Sequence, residues 1–296
     1  MRRIATTIAV ASLVATAAVT GAGPALAAHR TASAPAPSYY LSLGDSLAQG
    51  VQPNSAGTDV ETNRGYPNQL FTALRLGNPF LHLVKLGCPG ETTLTMIKGG
   101  ICKYGKGSQL AQAAAFLKSH SGHVQLVTID IGANDLNPCL VLTSEPKLIA
   151  CLGKVIPKAL KNLAVIMATL RAADATTVPV IGMTYYDPEL AGWLRGTKAA
   201  RALAKDSVTL AELFANDLRG VYKKFGAPVA SALEAFKTGE YKEHAVLPAF
   251  GVVPKDVALI CSYTWECAPA PVGPNEHANE LGYGVIANAF LNVYLR

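Results

Sequence analysis

The sequence lacks the patterns that mark several common classes of protein. It has no run dense in lysine and arginine, and its formal charge is only +6 over 296 residues. We therefore expect no nucleic-acid partner, because binding of that kind needs a continuous basic face. No stretch of about 20–50 residues repeats itself, which argues against solenoids and propellers. The segment 44–50 does not supply the Gly-x-Gly-x-x-Gly signature that dinucleotide binding would require after a first strand.

Hydrophobic residues make up 50% of the chain, which is enough to form one large core or two small ones. Short apolar segments alternate with segments of helical spacing. Strands are predicted near 39–43 and over 81–86, 124–131, 178–184 and 228–233, and helices over 66–76, 109–118, 146–173, 197–225 and 281–295. Residues 51–65 and 237–273 are predicted to be loops. This alternation predicts a single α/β domain with a parallel sheet covered on both faces.

The first 28 residues have the pattern of a secretory signal peptide. Arg2 and Arg3 precede an apolar stretch, and Ala25-Leu26-Ala27 provides a small-x-small cleavage site. The alternative, a retained membrane anchor, is disfavoured because the apolar run is short and rich in threonine. We expect residues 29–37 to form a disordered linker and residues 38–296 to form the secreted domain, with no stable membrane anchor.

Six cysteines agree with export to an oxidising compartment. They fall into three couples of sequence neighbours: Cys88 with Cys102, Cys139 with Cys151, and Cys261 with Cys267. We predict that each couple forms a disulfide that closes a loop. The alternative is a metal site, but no couple is Cys-x-x-Cys and no histidine stands at zinc-finger spacing. We therefore expect no metal at these cysteines, and nothing else in the sequence implies a metal or an organic cofactor.

The stretch from Tyr39 to Gly50 is the first candidate for function. An apolar strand ends at Gly44 and presents Ser46 at the carboxyl edge of the predicted sheet, where open α/β sheets bind ligands. A helix that begins there would aim free N–H groups at a group reacting with Ser46. The alternative is a plain strand-to-helix turn with Ser46 as a helix cap.

Three later positions have similar settings. Gly90 and Asn134 follow the second and third predicted strands, and His277 precedes the last predicted helix. Gly90 and Asn134 each have an ordinary alternative interpretation, because glycine and asparagine are common turn residues. The position of both at strand ends, at the same edge as Ser46, favours a functional role.

Gly44-Asp45-Ser46, Gly90, Gly132-Ala133-Asn134-Asp135 and His277 occur in this order. The set resembles the four blocks of the GDSL esterase/lipase family, also called SGNH hydrolases, and the resemblance spans residues 39–295. It implies a five-stranded, flavodoxin-like sheet in a three-layer α/β/α domain. It also implies Ser46 as the nucleophile, His277 as the base, and the Ser46 and Gly90 N–H groups with the Asn134 amide as oxyanion donors. The commoner hydrolase elbow, Gly-x-Ser-x-Gly, does not occur in the chain.

Together with the predicted signal peptide, the resemblance predicts a secreted esterase or lipase that acts on small-molecule or lipid esters. We expect a monomer. Two alternatives remain open. A phospholipase or a carbohydrate deacetylase would use the same residues and differ only in the substrate pocket. A binding module that has kept the fold without catalysis is less well supported, because Ser46, Gly90, Asn134 and His277 are all present.

The last block departs from the family pattern. The aspartate that usually orients the histidine lies two or three residues before it, but those positions hold Asn275 and Pro274. A carboxylate could come from elsewhere, with Glu266 and Glu276 nearest in sequence, or the enzyme could be impaired. We favour a third explanation, in which a neutral oxygen orients the ring. The candidates are the Asn275 side chain and a backbone carbonyl of residues 270–275.

Overall fold

A sheet of five parallel strands forms the centre of the computed structural model, which describes residues 37–142, 144–174 and 178–296. The predicted signal peptide (1–28) and residues 29–36 of the predicted linker lie outside the described residues. In chain order the strands are β1 (Ser38–Gly44), β2 (Gln52–Pro53), β3 (Asp59–Val60), β4 (Leu81–Lys85), β5 (Val124–Asp130), β6 (Val180–Thr184), β7 (Val229–Ser231), β8 (His244–Leu247) and β9 (Gly251–Pro254).

The α-helices are α1 (Ser46–Gln49), α2 (Tyr66–Arg75), α3 (Thr93–Lys98), α4 (Gln109–Ser119), α5 (Asn137–Leu140), α6 (Glu145–Ala173), α7 (Lys198–Lys224), α8 (Ala232–Ala235), α9 (Lys255–Tyr263) and α10 (Glu280–Tyr294). Two 3-10 helices cover Ala133–Asp135 and Pro188–Arg195. The five long predicted helices therefore form as α2, α4, α6, α7 and α10.

The order of the sheet is β4-β1-β5-β6-β7, with every neighbouring pair parallel. Counted along the chain, this is the second, first, third, fourth and fifth strand of the sheet, which is the flavodoxin-like order. The predicted fold class is confirmed. In such a sheet the strand order reverses between β1 and β5, and ligands bind at the carboxyl ends of the strands at this switch point. The helix that follows β1 begins with Ser46.

Helices cover both faces of the sheet, because each presents an apolar stripe. On one face, α4, α6 and α7 bury Leu117, Ile166 and Leu218 in one apolar cluster that includes residues of β1, β5 and β6. On the other, α2 and α10 bury Leu70 and Phe290. In both helical layers the side chains pack against fully buried residues of the strands. This close packing holds the strands rigid beneath the loops at their carboxyl ends.

Two segments predicted as loops contain regular structure. Strands β2 and β3 form an antiparallel hairpin within 51–65, and 237–273 contains the β8–β9 hairpin and helix α9. The prediction was wrong there because strands of two to four residues offer few alternating positions, and Pro53 and Pro254 are strand-breaking signals. Buried Val257 and Ile260 anchor α9 to the core instead of leaving it as a loop.

The three predicted disulfides form, as Cys88–Cys102, Cys139–Cys151 and Cys261–Cys267. Each closes a short loop: the partners are 14, 12 and 6 positions apart in the sequence. The described residues contain no helix both long and apolar enough to span a bilayer.

Candidate active site

Ser46 stands at the turn between β1 and α1. Gly44 has a φ of 140°, in the region that favours glycine, and a Cβ there would lie 2.2 Å from the Asp130 carbonyl oxygen. Asp45 caps α1, because its Oδ1 accepts the Leu47 N–H at 2.9 Å. The helix cap is therefore Asp45, and Ser46 is the first helical residue, with its side chain free for other contacts.

The structure brings His277 to Ser46 across 231 residues of sequence. The Nε2 atom of His277 lies 2.9 Å from the Ser46 Oγ atom. The His277 side chain is only 10% exposed, and burial lowers the pKa of its imidazole below the ordinary 6.5, against the opposing effect of Asp59 and Glu276. The ring is thus kept neutral at physiological pH, as a base must be.

The loop before α10 fixes the backbone of His277. Its carbonyl oxygen accepts the Trp265 N–H at 3.1 Å, and the Trp265 carbonyl accepts the Asn275 N–H at 3.3 Å. Trp265 lies between the two cysteines of the Cys261–Cys267 disulfide. This segment therefore supports the site through its backbone.

Asn275 contacts the other side of the imidazole. Its Oδ1 atom lies 2.9 Å from His277 Nδ1 and accepts the His277 backbone N–H at 3.0 Å. Its Nδ2 atom donates to Asp59 Oδ1 at 2.8 Å, and Asp59 Oδ2 lies 3.5 Å from His277 Nδ1. Asp59 was not among the sequence candidates. Within the described residues, the carboxylate in contact with His277 is this one, and neither Glu266 nor Glu276 takes that position.

Gly90 and Asn134 follow the strands on either side of β1, namely β4 and β5. Gly90 has a φ of 79°, and a Cβ there would meet nothing within 4 Å, so the turn requires glycine for its conformation rather than for close packing. Asn134 Nδ2 donates to the Glu91 carbonyl at 3.0 Å, and its Oδ1 accepts from Asn137 Nδ2 at 3.1 Å. These contacts fix the amide and leave one of its two N–H bonds for another acceptor.

Side-chain hydrogen bonds tie these loops together. Asp135 accepts the Thr93 N–H at 2.8 Å and the Thr93 hydroxyl at 2.7 Å, which joins the Asn134 turn to the start of α3. Gln109 is fully buried; its Nε2 donates to the Gly44 carbonyl at 2.9 Å and to Glu91 Oε2 at 3.0 Å. The turns that carry Ser46, Gly90 and Asn134 are thus joined by hydrogen bonds.

Two buried carboxyl groups, Asp45 and Asp130, lie beneath the Ser46 turn. Asp45 Oδ2 accepts the Tyr185 hydroxyl at 2.7 Å, and Asp130 Oδ1 accepts the Tyr66 hydroxyl. Burial raises the pKa of both carboxyls, and the charge of Asp45 raises that of Asp130 further. Ionising both of two adjacent buried carboxyls is unfavourable, which favours one proton held on the pair.

Sequence reasoning missed Asp59, Gln109 and the Asp45–Asp130 pair. A polar residue at the end of an otherwise apolar strand, such as Asp130 in β5, is a usable signal for a buried partner near the site. Asp59 offers no such signal, because it lies in a short polar hairpin.

Comparison with known proteins identifies the family of the chain. The chain matches the model of the GDSL-like Lipase/Acylhydrolase family over residues 42–283, a span that contains every candidate residue. None of the curated proteins compared with the chain is a significant match.

Solved structures share the fold at low sequence identity. A phospholipase A1 from Streptomyces albidoflavus has a TM-score of 0.56 and 19% identity, with 87% of this chain and 99% of that chain covered. An acetylxylan esterase from Geobacillus stearothermophilus has a TM-score of 0.52 and 15% identity, covering 87% and 94%. A lipase from a goat rumen metagenome has a TM-score of 0.52 and 16% identity, covering 87% and 97%.

The family match covers most of the chain, and these structures have the same α/β architecture. The resemblance that the four sequence blocks indicated is confirmed. The chain belongs to the GDSL-like lipase/acylhydrolase family.

Proposed function

We propose that this carboxylic ester hydrolase works through an acyl-enzyme on Ser46, with His277 as general base. The observation that carries the proposal is the 2.9 Å contact between Ser46 Oγ and His277 Nε2. A serine hydroxyl is a weak nucleophile until an adjacent base takes its proton. The depressed pKa of His277 keeps that base unprotonated at neutral pH.

In the first half-reaction, Ser46 Oγ attacks the ester carbonyl carbon while its proton passes to His277 Nε2. The resulting tetrahedral oxyanion is stabilised by the N–H groups of Ser46 and Gly90 and by the Asn134 amide. His277 then returns the proton to the leaving alkoxide, and the alcohol departs as the C–O bond breaks. In the second half-reaction, water loses a proton to His277 and attacks the acyl carbon. His277 then returns the proton to Ser46 Oγ as the acyl C–O bond breaks, which releases the carboxylic acid and restores Ser46.

Each oxyanion donor in such a site is worth about 10²–10³ in rate. The location of Gly90 and Asn134 in the loops that follow the strands flanking β1 supports this role, because those loops lie at the same sheet edge as Ser46. The hydrogen bonds through Gln109 and Asp135 support it further, since they hold the donors before substrate arrives.

We also propose that the enzyme acts outside the cell. Three disulfides that each close a short loop are typical of proteins in oxidising compartments. The predicted signal peptide at 1–28 is consistent with export to such a compartment. The substrate class that fits this setting is a small or lipid carboxylic ester.

The test uses p-nitrophenyl esters with wild-type protein, Ser46→Ala and a matched control, Ser119→Ala. Ser119 is exposed at the end of α4 that leads into β5, at the opposite edge of the sheet. Ser46→Ala should retain less than about a hundredth of the activity, whereas Ser119→Ala should match wild type. An organophosphate should label one serine, and the label should disappear in Ser46→Ala alone. Retained activity or labelling in Ser46→Ala would exclude Ser46 as nucleophile.

Rates across the same series, with acyl chains from acetate to palmitate, separate an esterase from a lipase. Phosphatidylcholine and acetylated xylan, added as competing substrates, test the two alternatives that use the same residues. If kcat/KM on phosphatidylcholine or on acetylated xylan exceeds the value for every p-nitrophenyl ester, the corresponding alternative would replace the simple esterase assignment.

A further inference from the structure

We propose that Asp59 is a positioning residue of this site. Its carboxylate fixes the Asn275 amide that orients His277, and it faces the positive charge that forms on the ring. The inference rests on the proposed roles of Ser46 and His277, and it supplies the carboxylate that the last sequence block lacks.

The hydrogen bonds around Asn275 allow only one arrangement of its amide. The His277 backbone N–H can only donate, so the amide atom 3.0 Å from it is the oxygen. The Asp59 carboxylate accepts, so the amide atom 2.8 Å from it is the nitrogen. Because that oxygen also lies 2.9 Å from His277 Nδ1, Nδ1 must carry the ring proton. The lone pair is then on Nε2, which faces Ser46.

The second oxygen of Asp59 has a separate effect. It lies 3.5 Å from His277 Nδ1, so it is close to the imidazolium that exists once His277 has taken the Ser46 proton. Opposite charges at this distance favour the ionised ring. The Asp59 side chain is 45% exposed, so water screens the attraction, and the effect should be smaller than that of a buried triad aspartate.

The β2–β3 hairpin holds Asp59 in place. Asp59 pairs with Pro53 in the hairpin register, and Asn54 Oδ1 accepts the N–H groups of Ala56 and Thr58 at 2.9 and 3.0 Å. At the tip, Gly57 has a φ of 79°, and a Cβ there would lie 2.0 Å from the Pro271 carbonyl oxygen. The hairpin therefore packs closely against the loop that leads to Asn275.

The test separates the hydrogen bond of Asp59 from its charge. In Asp59→Asn the new amide oxygen can still accept from Asn275, so only the charge is lost; in Asp59→Ala both are lost. We expect kcat to fall about tenfold in Asp59→Asn and further in Asp59→Ala, with KM nearly unchanged. Neutralising a triad aspartate that is bonded directly to the histidine lowers kcat by about 10⁴. This value is the upper bound for the loss expected in the Asp59 variants.

Glu61→Gln is the matched control, because it removes one negative charge two residues along the same exposed segment. It should leave kcat unchanged. A second readout is the acid limb of kcat/KM, which should move to lower pH in Asp59→Asn and not in Glu61→Gln. The charges that raise the pKa of His277 are those of Asp59 and Glu276. The Glu276 charge is the same in wild type and in both variants, so a shift between them reports the Asp59 charge.

The exchange of both side chains, in the double variant Asp59→Asn with Asn275→Asp, provides a rescue. It places the carboxylate against Nδ1 and a donating amide behind it, so kcat should exceed that of Asp59→Asn. If the exchange gives no recovery, the charge is not what Asp59 contributes, and the proposal is wrong.

Two further results would overturn the inference while leaving the proposed function intact. One is a kcat in both Asp59 variants equal to that of Glu61→Gln, with activity still lost in Ser46→Ala. The other is a loss accompanied by a lower melting temperature and an unmoved acid limb, which would make Asp59 a structural residue of the hairpin. Activity that survives in Ser46→Ala would overturn both proposals together.

Discussion

The carboxamide oxygen of Asn275 lies 2.9 Å from Nδ1 of His277, where the family pattern would place an aspartate. A neutral oxygen can select the ring tautomer, but it adds no negative charge of its own to stabilise the imidazolium. The pKa of His277 is accordingly lowered, because burial outweighs the nearby charges of Asp59 and Glu276. The burial of the ring and the absence of a directly bonded carboxylate among the described residues together determine how the site should respond to pH.

The acid limb of kcat/KM on a short ester should lie below pH 6.5, the ordinary value for histidine. The reason is that His277 must be neutral to accept the Ser46 proton, and its depressed pKa keeps it neutral to lower pH. A pH–rate profile between about pH 4 and pH 8 measures the limb. A limb above 6.5 would mean that a charge stabilises the imidazolium more strongly than burial destabilises it.

Neither glutamate near the last block should be a hidden triad member. Glu266→Gln and Glu276→Gln should each change kcat/KM less than about tenfold, against about 10⁴ for a true triad aspartate. Burial, with Glu189 and Glu276 nearby, raises the pKa of Glu266 to about 7, so this carboxyl is partly protonated at neutral pH. A thousandfold loss in either variant, with an unchanged melting temperature, would contradict the contacts seen around His277.

Much of the site could be predicted because regular structure gathers it. Ser46, Gly90 and Asn134 each follow an apolar strand, and parallel strands bring their carboxyl ends to one edge of the sheet. Each cysteine couple is close in sequence, so a short loop suffices to close it.

Asp59 could not be predicted, because its partner Asn275 is 216 residues away and the hairpin that carries it has strands of two residues. The Asp45–Asp130 pair was missed for a different reason. Burial of a carboxyl group depends on the hydroxyls of Tyr185 and Tyr66, which tertiary packing brings from distant segments.

Asn134→Ala should lower kcat by about 10²–10³ with a smaller change in KM, since the amide acts mainly on the developing oxyanion. Asn137→Ala is the matched control. It removes a neighbouring amide that donates to Asn134 Oδ1 at 3.1 Å, and its effect should stay below about tenfold. Steady-state kinetics on one ester measure the change in kcat and KM of each variant, and a thermal melt measures its stability. An unchanged kcat with a lowered melting temperature would make Asn134 a turn residue only.

Asp130→Asn should become more stable relative to wild type as the pH rises. Burial and the charge of Asp45 raise the pKa of Asp130 well above its ordinary 3.8, so the folded protein holds a proton that the unfolded chain releases above that pH. Stability that Asp130 contributes is therefore complete below 3.8 and is lost as the pH rises toward the folded-state value. An asparagine has no proton to lose, so the variant avoids this loss.

Melting temperatures of wild type and Asp130→Asn at about pH 5, 7 and 9 measure the effect as a difference that grows with pH in favour of the variant. Asp217→Asn, which changes an exposed aspartate on α7, is the control and should show a constant difference from wild type. If the melting temperatures of Asp130→Asn and wild type also differ by the same amount at every pH, both Asp45 and Asp130 ionise in the folded protein. In that case the hydroxyls of Tyr66 and Tyr185, not a retained proton, would be what makes the burial of Asp45 and Asp130 beneath Ser46 tolerable.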